Sequence, residues 1–340
     1  MIAVFLLDFG GPEKQEDVRP FLENLFSDRD IFPMPMGQAL FAKVVSKLRA
    51  PKVEKQYAKM GGGSPLNKQS HAIASQLEEN LRRANLDIKV FTGFRYWGPS
   101  ISETLQKIAN QKPQGIIVIP MFPQYSTATT LSVFKQFQEA MSTIYPTQPP
   151  LTKGRSTPFQ LVDWWYDRPQ FVAGWCYSIK RALDQFDPKI RGTVPVLFSA
   201  HGLPLSFVTE RKDPYPKQIK ECAEKIMTYL GGNNPAYISY QSKVGPMEWL
   251  KPATVEFIPK LAAGGIRHLV IAPISFITDH LETLYEIDQE IIPLGLKSGM
   301  EKIVRCEALI HTPYLIKCLE ELVLKRLPGI LPLRLRSGSE

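Results

Sequence analysis

The sequence predicts an α/β protein made of two similar halves, each a parallel sheet flanked by helices. Three observations predict it. Short apolar runs of strand length alternate with longer amphipathic segments of helical period. The short runs are apolar at nearly every position, as expected of strands that are buried on both faces. The pattern also repeats once, because motifs from the first half of the chain recur in the second. Strand and helix in alternation give parallel sheets.

Six segments are candidate strands. They read "IAVFLLDF", "IKVFTGF", "GIIVIPMF", "TVPVLFSA", "AYISYQS" and "HLVIAPISF". Two of the segments between them have a clear helical pattern, "SHAIASQLEENLRRA" and "YPKQIKECAEKIMTYLGG". The second of these helices is expected to stop at its glycines, since glycine adopts the left-handed conformation that ends a helix.

The repeat is visible in two pairs of segments. "VFLLDFGGP" (4–12) and "VLFSAHGLP" (196–204) share one frame, in which Phe9 and His201 hold the same place. "IIVIPMFPQYST" likewise resembles "LVIAPISFITDH". We therefore expect one domain over residues 1–160, a second over 161–327, and a tail over 328–340. A length of 340 residues also favours two domains over one.

Composition narrows the class of protein. The net charge is +8, but Lys and Arg are spread along the chain and often stand beside acids, which argues against a nucleic-acid partner. Anionic small molecules and anionic lipid heads are compatible with the basic balance. No apolar run reaches the roughly 18 residues that span a bilayer. The N-terminus lacks the basic start of a signal peptide, so the expected location is the cytoplasm.

The four cysteines favour neither a metal site nor a disulfide framework. Cys176, Cys222, Cys306 and Cys318 form no CxxC pair. We expect them to be reduced residues of the core.

An acidic segment, "DHLETLYEIDQE" (279–290), stands out in this basic chain. It holds five acids and no Lys or Arg. If a helix begins at Asp279, then Asp279, Glu282, Glu286 and Glu290 share one stripe. A solvated helix surface explains the first two acids, which suit a helix N-terminus. A route for cations explains all four, because a cation relieves the repulsion between like charges four residues apart. The pattern alone leaves both interpretations open.

Several candidate site residues follow candidate strands, where open α/β sheets bind ligands. They are Phe9, Gln124 to Thr127, His201 and Asp279. His201 is either a hydrogen-bonded structural histidine or a base or ligand, since histidine titrates near neutrality. Imidazole and carboxylate together suit a divalent metal. The absence of HxxxH and HExxH favours a metal that passes through over a permanently held zinc ion.

Two further segments carry weaker signals. "GGGSPL" (61–66) is rich in glycine but lacks the Lys-Ser/Thr ending of a phosphate-binding loop. Residues 25–52, here called the lip segment, combine Phe, Met and Pro with a basic end. The lip segment is either an ordinary packed helix and loop or an apolar surface that touches a membrane or a greasy ligand.

The sequence resembles the ferrochelatases from end to end. The matching blocks are "GGP" (10–12), "PKVEKQYAKMGGGSPL" (51–66), "GFRYWGP" (93–99), "FPQYSTATT" (122–130), "FSAHGLP" (198–204), "YQSKVGPMEWLKP" (240–252) and "SFITDHLETLYEID" (275–288). The resemblance implies insertion of Fe²⁺ into protoporphyrin IX, the last step of haem synthesis. It also implies the class II chelatase fold, two Rossmann-like domains with a porphyrin cleft between them.

The resemblance assigns roles to residues of this chain. His201 is similar to the residue that faces the pyrrole nitrogens as proton acceptor, metal ligand or both, and Glu282 to its partner across the site. Asp279, His280 and Glu286 would orient these groups or relay protons and metal. The porphyrin would lie against Phe9 on the opposite face. Other residues similar to the family's porphyrin pocket are Arg49, Tyr57, Ser64, Arg95, Tyr96 and Trp249, although packing alone could explain the last two.

Departures from the family pattern refine the expectation. Phe9 stands where relatives often carry Met or Tyr, so steric bending of the porphyrin is expected from that side instead of an axial ligand. Thr127 and a cysteine-free "LPGILPLRLRSGSE" predict a bacterial type without an iron–sulfur cluster or other bound cofactor. The lip segment favours protoporphyrin and peripheral membrane contact. Two rivals remain open: a chelatase for another tetrapyrrole and a non-catalytic haem-binding protein.

Overall fold

The computed structural model describes residues 1–32, 34, 36–145 and 158–330. These residues form two four-stranded sheets in which all strand pairs are parallel. The first sheet has the order β2-β1-β3-β4 and the second the order β6-β5-β7-β8. The strands are β1 Ile2–Asp8, β2 Ile88–Phe94, β3 Ile116–Pro120, β4 Phe159–Leu161, β5 Val196–His201, β6 Ala236–Gln241, β7 His268–Ala272 and β8 Lys302–Arg305.

Helices connect and cover the strands. They are α1 Val18–Phe26, α2 Gln38–Ala58, α3 Leu66–Arg83, α4 Ile101–Asn110, α5 Thr130–Ile144, α6 Pro169–Leu183, α7 Leu205–Thr209, α8 Tyr215–Leu230, α9 Thr254–Ala263, α10 Ile292–Lys297 and α11 Tyr314–Ile330. A π-helix, Leu281–Ile291, lies between β7 and α10. Both predicted helices are confirmed as α3 and α8, and α8 ends at Gly231 in the left-handed conformation, with φ of 70°.

The duplication predicted from the sequence is confirmed by the strand orders. β1 and β5 hold equivalent central places, each between the second and third strands of its own half. Phe9 directly follows β1, and His201 is the last residue of β5. The shared sequence frame therefore reflects a shared place at the carboxyl end of the central strand, where α/β sheets bind ligands.

All six candidate strands are present, but the sequence did not indicate β4 and β8. These strands have three and four residues and lie at the edges of their sheets. Every residue of β4 is only half-buried, whereas every residue of β1 is buried. A short edge strand faces solvent in part, so it lacks the continuous apolar run that marks a central strand.

The C-terminal helix joins the halves. α11 packs against α6 and, in the first half, against α3 and the edge strand β4. The proposed domain boundary at residues 160 and 161 falls within β4, so the division of the chain stays a prediction. Residues 328–330 of the predicted tail belong to α11, and residues 331–340 lie outside the described residues.

A second junction lies beyond β3. The Asp213 carboxylate accepts hydrogen bonds from the Ser126 hydroxyl at 2.9 Å and from the backbone and hydroxyl of Thr127 at 2.6 and 2.7 Å. The Gln124 amide donates to the Ile274 carbonyl at 3.3 Å. Residues 124–127 follow β3, at the carboxyl end of a strand as predicted. Their polar groups tie the first half to the second.

Candidate active site

His201 is held so that one ring nitrogen stays available. Its Nδ1 lies 2.6 Å from the carbonyl oxygen of Gly202. A carbonyl oxygen only accepts, so Nδ1 carries the hydrogen and the neutral ring keeps its lone pair on Nε2. The Ser275 hydroxyl bonds the backbone of His201, and the Tyr215 hydroxyl bonds its carbonyl oxygen. These contacts fix the end of β5 and leave Nε2 free to accept a proton or bind a metal.

Glu282 and His280 form a close pair beside this ring. The Nδ1 of His280 lies 3.0 Å from a carboxylate oxygen of Glu282. The Phe276 ring packs between the two imidazoles, 4.3 Å from His280 and 6.1 Å from His201 between ring centroids. Burial works to raise the pKa of Glu282, but attraction to the positive charge that His280 and His201 carry when protonated outweighs it and brings the pKa to about 2. Glu282 is thus a carboxylate anion held beside two imidazoles.

Glu286 lies one turn further along and is held from the second sheet. Its carboxylate accepts the backbone N–H of Ser242 at 2.7 Å, the Ser242 hydroxyl, and the Gln241 amide at 3.1 Å. Gln241 also donates to the carbonyl oxygen of Glu282 at 2.9 Å. Burial and the charge of Glu282 raise the pKa of Glu286, while these hydrogen bonds oppose the rise. Gln241 and Ser242 lie within the "YQSKVGPMEWLKP" block, but no sequence pattern marks them as site residues.

The helix that carries these acids differs from the expected one. It begins at Leu281 and is a π-helix, so Asp279 precedes it and the α-helical stripe does not apply. Part of the negative charge of the acidic segment is also balanced by a cation from outside the segment. Arg305 contacts Asp279 at 3.2 Å and Asp288 at 2.8 Å. The sequence does not indicate this pairing, because Arg305 lies outside the acidic segment, 17 residues from Asp288 and 26 from Asp279 along the chain.

Both carboxylate oxygens of Asp279 have polar partners. One carboxylate oxygen contacts Arg305 and the Thr283 hydroxyl, each at 3.2 Å. The other lies 3.0 Å from Nε2 of His311. Its backbone N–H donates to Gln69 of the first half at 2.8 Å. Asp279 is thus positioned to orient the start of the π-helix, whereas the exposed Glu290 at the far end lies at the surface.

A second group of predicted residues lies at the end of the first sheet. The Phe9 ring packs against Tyr96 and Phe122, with centroids 5.0 and 4.7 Å apart. Tyr96 donates its hydroxyl to the buried Asp28 at 2.6 Å. Arg95 contacts the same Asp28 at 3.0 Å. The structure therefore brings Phe9, Arg95 and Tyr96 together, and it adds Asp28, which carried no signal of its own in the sequence.

The remaining predicted pocket residues lie on helix α2 and on loops of both halves. Tyr57 of α2 is buried, and burial together with the charge of Glu282 raises the pKa of its hydroxyl. Ser64 packs against Gly11, and Trp249 packs against Gly202, beside His201. Arg49 of α2 lies over the ring of Phe26 on α1, 5.9 Å from the ring centroid. Of these residues, Tyr57 lies within electrostatic reach of Glu282, and Trp249 packs against the glycine that follows His201.

Comparison with known proteins settles the family. The family model described as Ferrochelatase matches residues 1–327 of the chain.

The chain belongs to the ferrochelatase family.

Curated ferrochelatases agree with this assignment over almost the whole chain. The ferrochelatase of Cyanothece sp. (strain PCC 7425 / ATCC 29141) is 40% identical over 330 residues, which cover 96% of this chain and 83% of that protein. The protein named Ferrochelatase-1, chloroplastic/mitochondrial, of Arabidopsis thaliana is also 40% identical, over 96% of this chain and 70% of its own length.

Solved chelatases share the fold at low identity. The structure of SirB from Bacillus subtilis with Fe³⁺ is similar with a TM-score of 0.58 and 12% identity, and covers 96% of this chain and 97% of its own. The sirohydrochlorin chelatase SirB from Bacillus subtilis subspecies spizizenii in complex with cobalt gives a TM-score of 0.51 at 10% identity, over 97% of this chain and 94% of its own. These likenesses confirm the class II chelatase fold for this ferrochelatase-family chain.

Proposed function

We infer that this protein is a ferrochelatase, which inserts Fe²⁺ into protoporphyrin IX and releases two protons to give protohaem. A free-base porphyrin carries two inward N–H groups, and both protons must leave as the metal enters. Family membership supports this activity. The observation that most supports this activity is the arrangement of the His201 imidazole. It lies at the carboxyl end of β5, beside the Glu282–His280 pair, with its Nε2 available.

Each site residue of the second half has its own role in this proposal. His201 accepts pyrrole protons or binds the metal through Nε2, and Glu282 is its anionic partner for the metal. His280 and Glu286 carry the protons or the metal along the π-helix. The protons then leave to solvent, so charge balances as one Fe²⁺ replaces two H⁺. Asp279, just before the π-helix, orients the start of the helix that carries Glu282 and Glu286.

The first half supplies the opposite wall of the porphyrin site. Phe9, backed by Tyr96 and Phe122, presses on the ring and favours a bent macrocycle close to the transition state. Arg49, Arg95, Tyr57 and Ser64 hold the propionates or support the pocket, and Trp249 lines its wall.

Zinc insertion into protoporphyrin IX, followed by fluorescence, tests the function without the oxidation of ferrous iron. We expect wild-type turnover and a fall in kcat of about 10²- to 10⁴-fold in His201→Ala, the range for loss of a positioned base. His268→Ala is the matched control. His268 is the first residue of β7, contacts Glu301 and lies outside the site. Porphyrin binding without wild-type turnover would favour a haem-binding protein, and turnover with only another tetrapyrrole would favour a different chelatase.

We propose a cytoplasmic protein with peripheral contact to an anionic membrane. Leu40, Val44 and Leu48 recur every fourth residue on α2 and are 68, 48 and 74% exposed. The exposed Lys43 and Lys47 lie among them. In the described part of the chain, no helix is long and apolar enough to cross a bilayer. Co-sedimentation with anionic vesicles tests the proposal: Leu40→Ser/Leu48→Ser should lose binding, and Leu324→Ser, on α11, should keep it.

We also propose that the enzyme needs no bound cofactor and no iron–sulfur cluster. Its four cysteines are free and buried, each on a different element of the fold or beside one. Iron and acid-labile sulfide in the purified protein, in near-stoichiometric amounts, would contradict this proposal.

A further inference from the structure

Arg305 occupies a distinctive place between the rigid sheet and the π-helix. Its backbone is fixed as the last residue of β8, where it pairs with Ile271 of β7. Its side chain, only 15% exposed, leaves the sheet and reaches two acids of the 279–290 segment. The residue therefore links a fixed strand to the helix that carries Glu282 and Glu286.

The guanidinium engages both carboxylates at once. Nε and Nη2 form a two-pronged contact with Asp288, at 2.8 and 3.0 Å. Nη1 reaches Asp279 at 3.2 Å and the carbonyl oxygen of Cys306 at 3.3 Å. Only a planar fork can serve two carboxylates in this geometry, and lysine cannot reproduce it.

The two acids bracket the residues of the candidate site. Asp279 precedes the π-helix and Asp288 lies in its second half, with Glu282 and Glu286 between them. π-helices are usually single turns, so a stretch of 11 residues needs support from outside the helix. The buried Ile287 and Ile291 provide apolar support from the sheet. Arg305 provides polar support at two points, and its positive charge offsets the negative charge of Asp279 and Asp288.

We propose that Arg305 is a positioning residue for metal delivery, an inference that rests on the proposed function. By holding Asp279 and Asp288, it keeps Glu282 and Glu286 directed along the path of the metal. Its loss weakens the handling of metal and leaves porphyrin binding intact, because the porphyrin contacts come from other elements.

The test compares Arg305→Lys with wild type in three measurements. They are kcat/KM for zinc at saturating protoporphyrin, Kd for zinc by calorimetry without porphyrin, and Kd for porphyrin by fluorescence quenching without metal. We expect about a 10- to 100-fold loss in the two zinc measurements, the range for a partner that orients metal ligands. Porphyrin Kd should stay within about twofold of wild type. Arg191→Lys is the matched control, since Arg191 pairs with Asp184 at 2.7 Å away from the site.

Unchanged zinc Kd, or an equal loss in zinc and porphyrin binding, would overturn the proposal and leave Arg305 a structural residue. If the wild type inserts no metal, the proposed function fails, but zinc Kd still decides the role of Arg305.

Asp288→Asn keeps the proposal falsifiable if Arg305→Lys does not fold. This substitution removes the carboxylate that receives the two-pronged contact of Arg305, and it leaves the contact between Arg305 and Asp279 in place. We expect Asp288→Asn to weaken zinc binding less than Arg305→Lys does. The double variant should bind zinc as weakly as Arg305→Lys alone, because the two residues act through one contact. Independent, multiplying losses in the double variant, or unchanged zinc Kd in Asp288→Asn alone, would contradict the proposal.

Discussion

The hydroxyl of Tyr96 donates to the carboxylate of Asp28 at 2.6 Å, and this bond joins the loop after β2 to the start of the lip segment. The same carboxylate oxygen accepts from Ser132 of α5 at 2.7 Å and contacts Arg95 at 3.0 Å. Burial works to raise the pKa of Asp28, but the bond from Tyr96 and the charge of Arg95 outweigh it and lower the pKa. The buried carboxylate of Asp28 thus connects three segments at the end of the first sheet, beside Phe9.

Tyr96→Phe should lower the free energy of unfolding by about 1.5–3 kcal/mol, since it removes a hydrogen bond to a buried charged group. Chemical denaturation at neutral pH measures the change. Tyr229→Phe is the control, because the Tyr229 side chain is 67% exposed. A loss in Tyr96→Phe no larger than in the control would show that Asp28 does not depend on this bond.

Glu286→Gln should raise the KM for metal about 10-fold and leave porphyrin Kd unchanged, because an amide presents one acceptor oxygen and no charge to Ser242, Gln241 and the metal. Steady-state zinc insertion measures it. Glu290→Gln is the control. Glu290 is exposed on the same helix, so this variant measures the effect of removing an acidic charge from the helix surface. Equal effects from the two variants would return the segment to a solvated acidic face.

Gly202→Ala should lower kcat by up to about 10²-fold, the effect of a displacement near 1 Å at a catalytic group. An added Cβ would lie 2.7 Å from the Gln241 carbonyl oxygen and 3.0 Å from the Trp249 ring. The shift also moves the carbonyl oxygen that sets the His201 tautomer. Gly192→Ala is the control, with no atom within 4 Å of its added Cβ. Wild-type kcat in Gly202→Ala would mean that this packing does not position His201.

Asp8→Asn should flatten the pH dependence of stability. Burial raises the pKa of Asp8 to about 6, although bonds from Phe9 and Ser70 oppose it. A raised pKa means that the folded state binds the proton more tightly, so this contribution is present below about pH 4 and is lost as pH rises to about 6. The loss is about 3 kcal/mol.

Urea unfolding between pH 4.5 and 7 measures this slope for wild type and Asp8→Asn. The control is Asp87→Asn, whose side chain is 84% exposed and which should keep the wild-type slope. An unchanged slope in Asp8→Asn would show that Asp8 does not titrate in this range.

The sequence by itself determined the α/β class, the duplicated half and the place of His201. These features are local, because a buried central strand is apolar along its length and the turn after it recurs in both halves. The family blocks added the activity and the predicted site residues. The short edge strands β4 and β8 escaped notice, since partial exposure removes the apolar run.

Only the tertiary structure decided how the acids are held. Arg305 lies 26 residues from Asp279, Gln241 lies 45 from Glu286, and Ser132 lies 104 from Asp28. No periodicity connects residues so far apart along the chain, and the π-helix departs from the helical period assumed for the acidic segment. The physical reason is that charge compensation and hydrogen bonding act through space, so the partner of a carboxylate depends on how the sheets bring distant strands together.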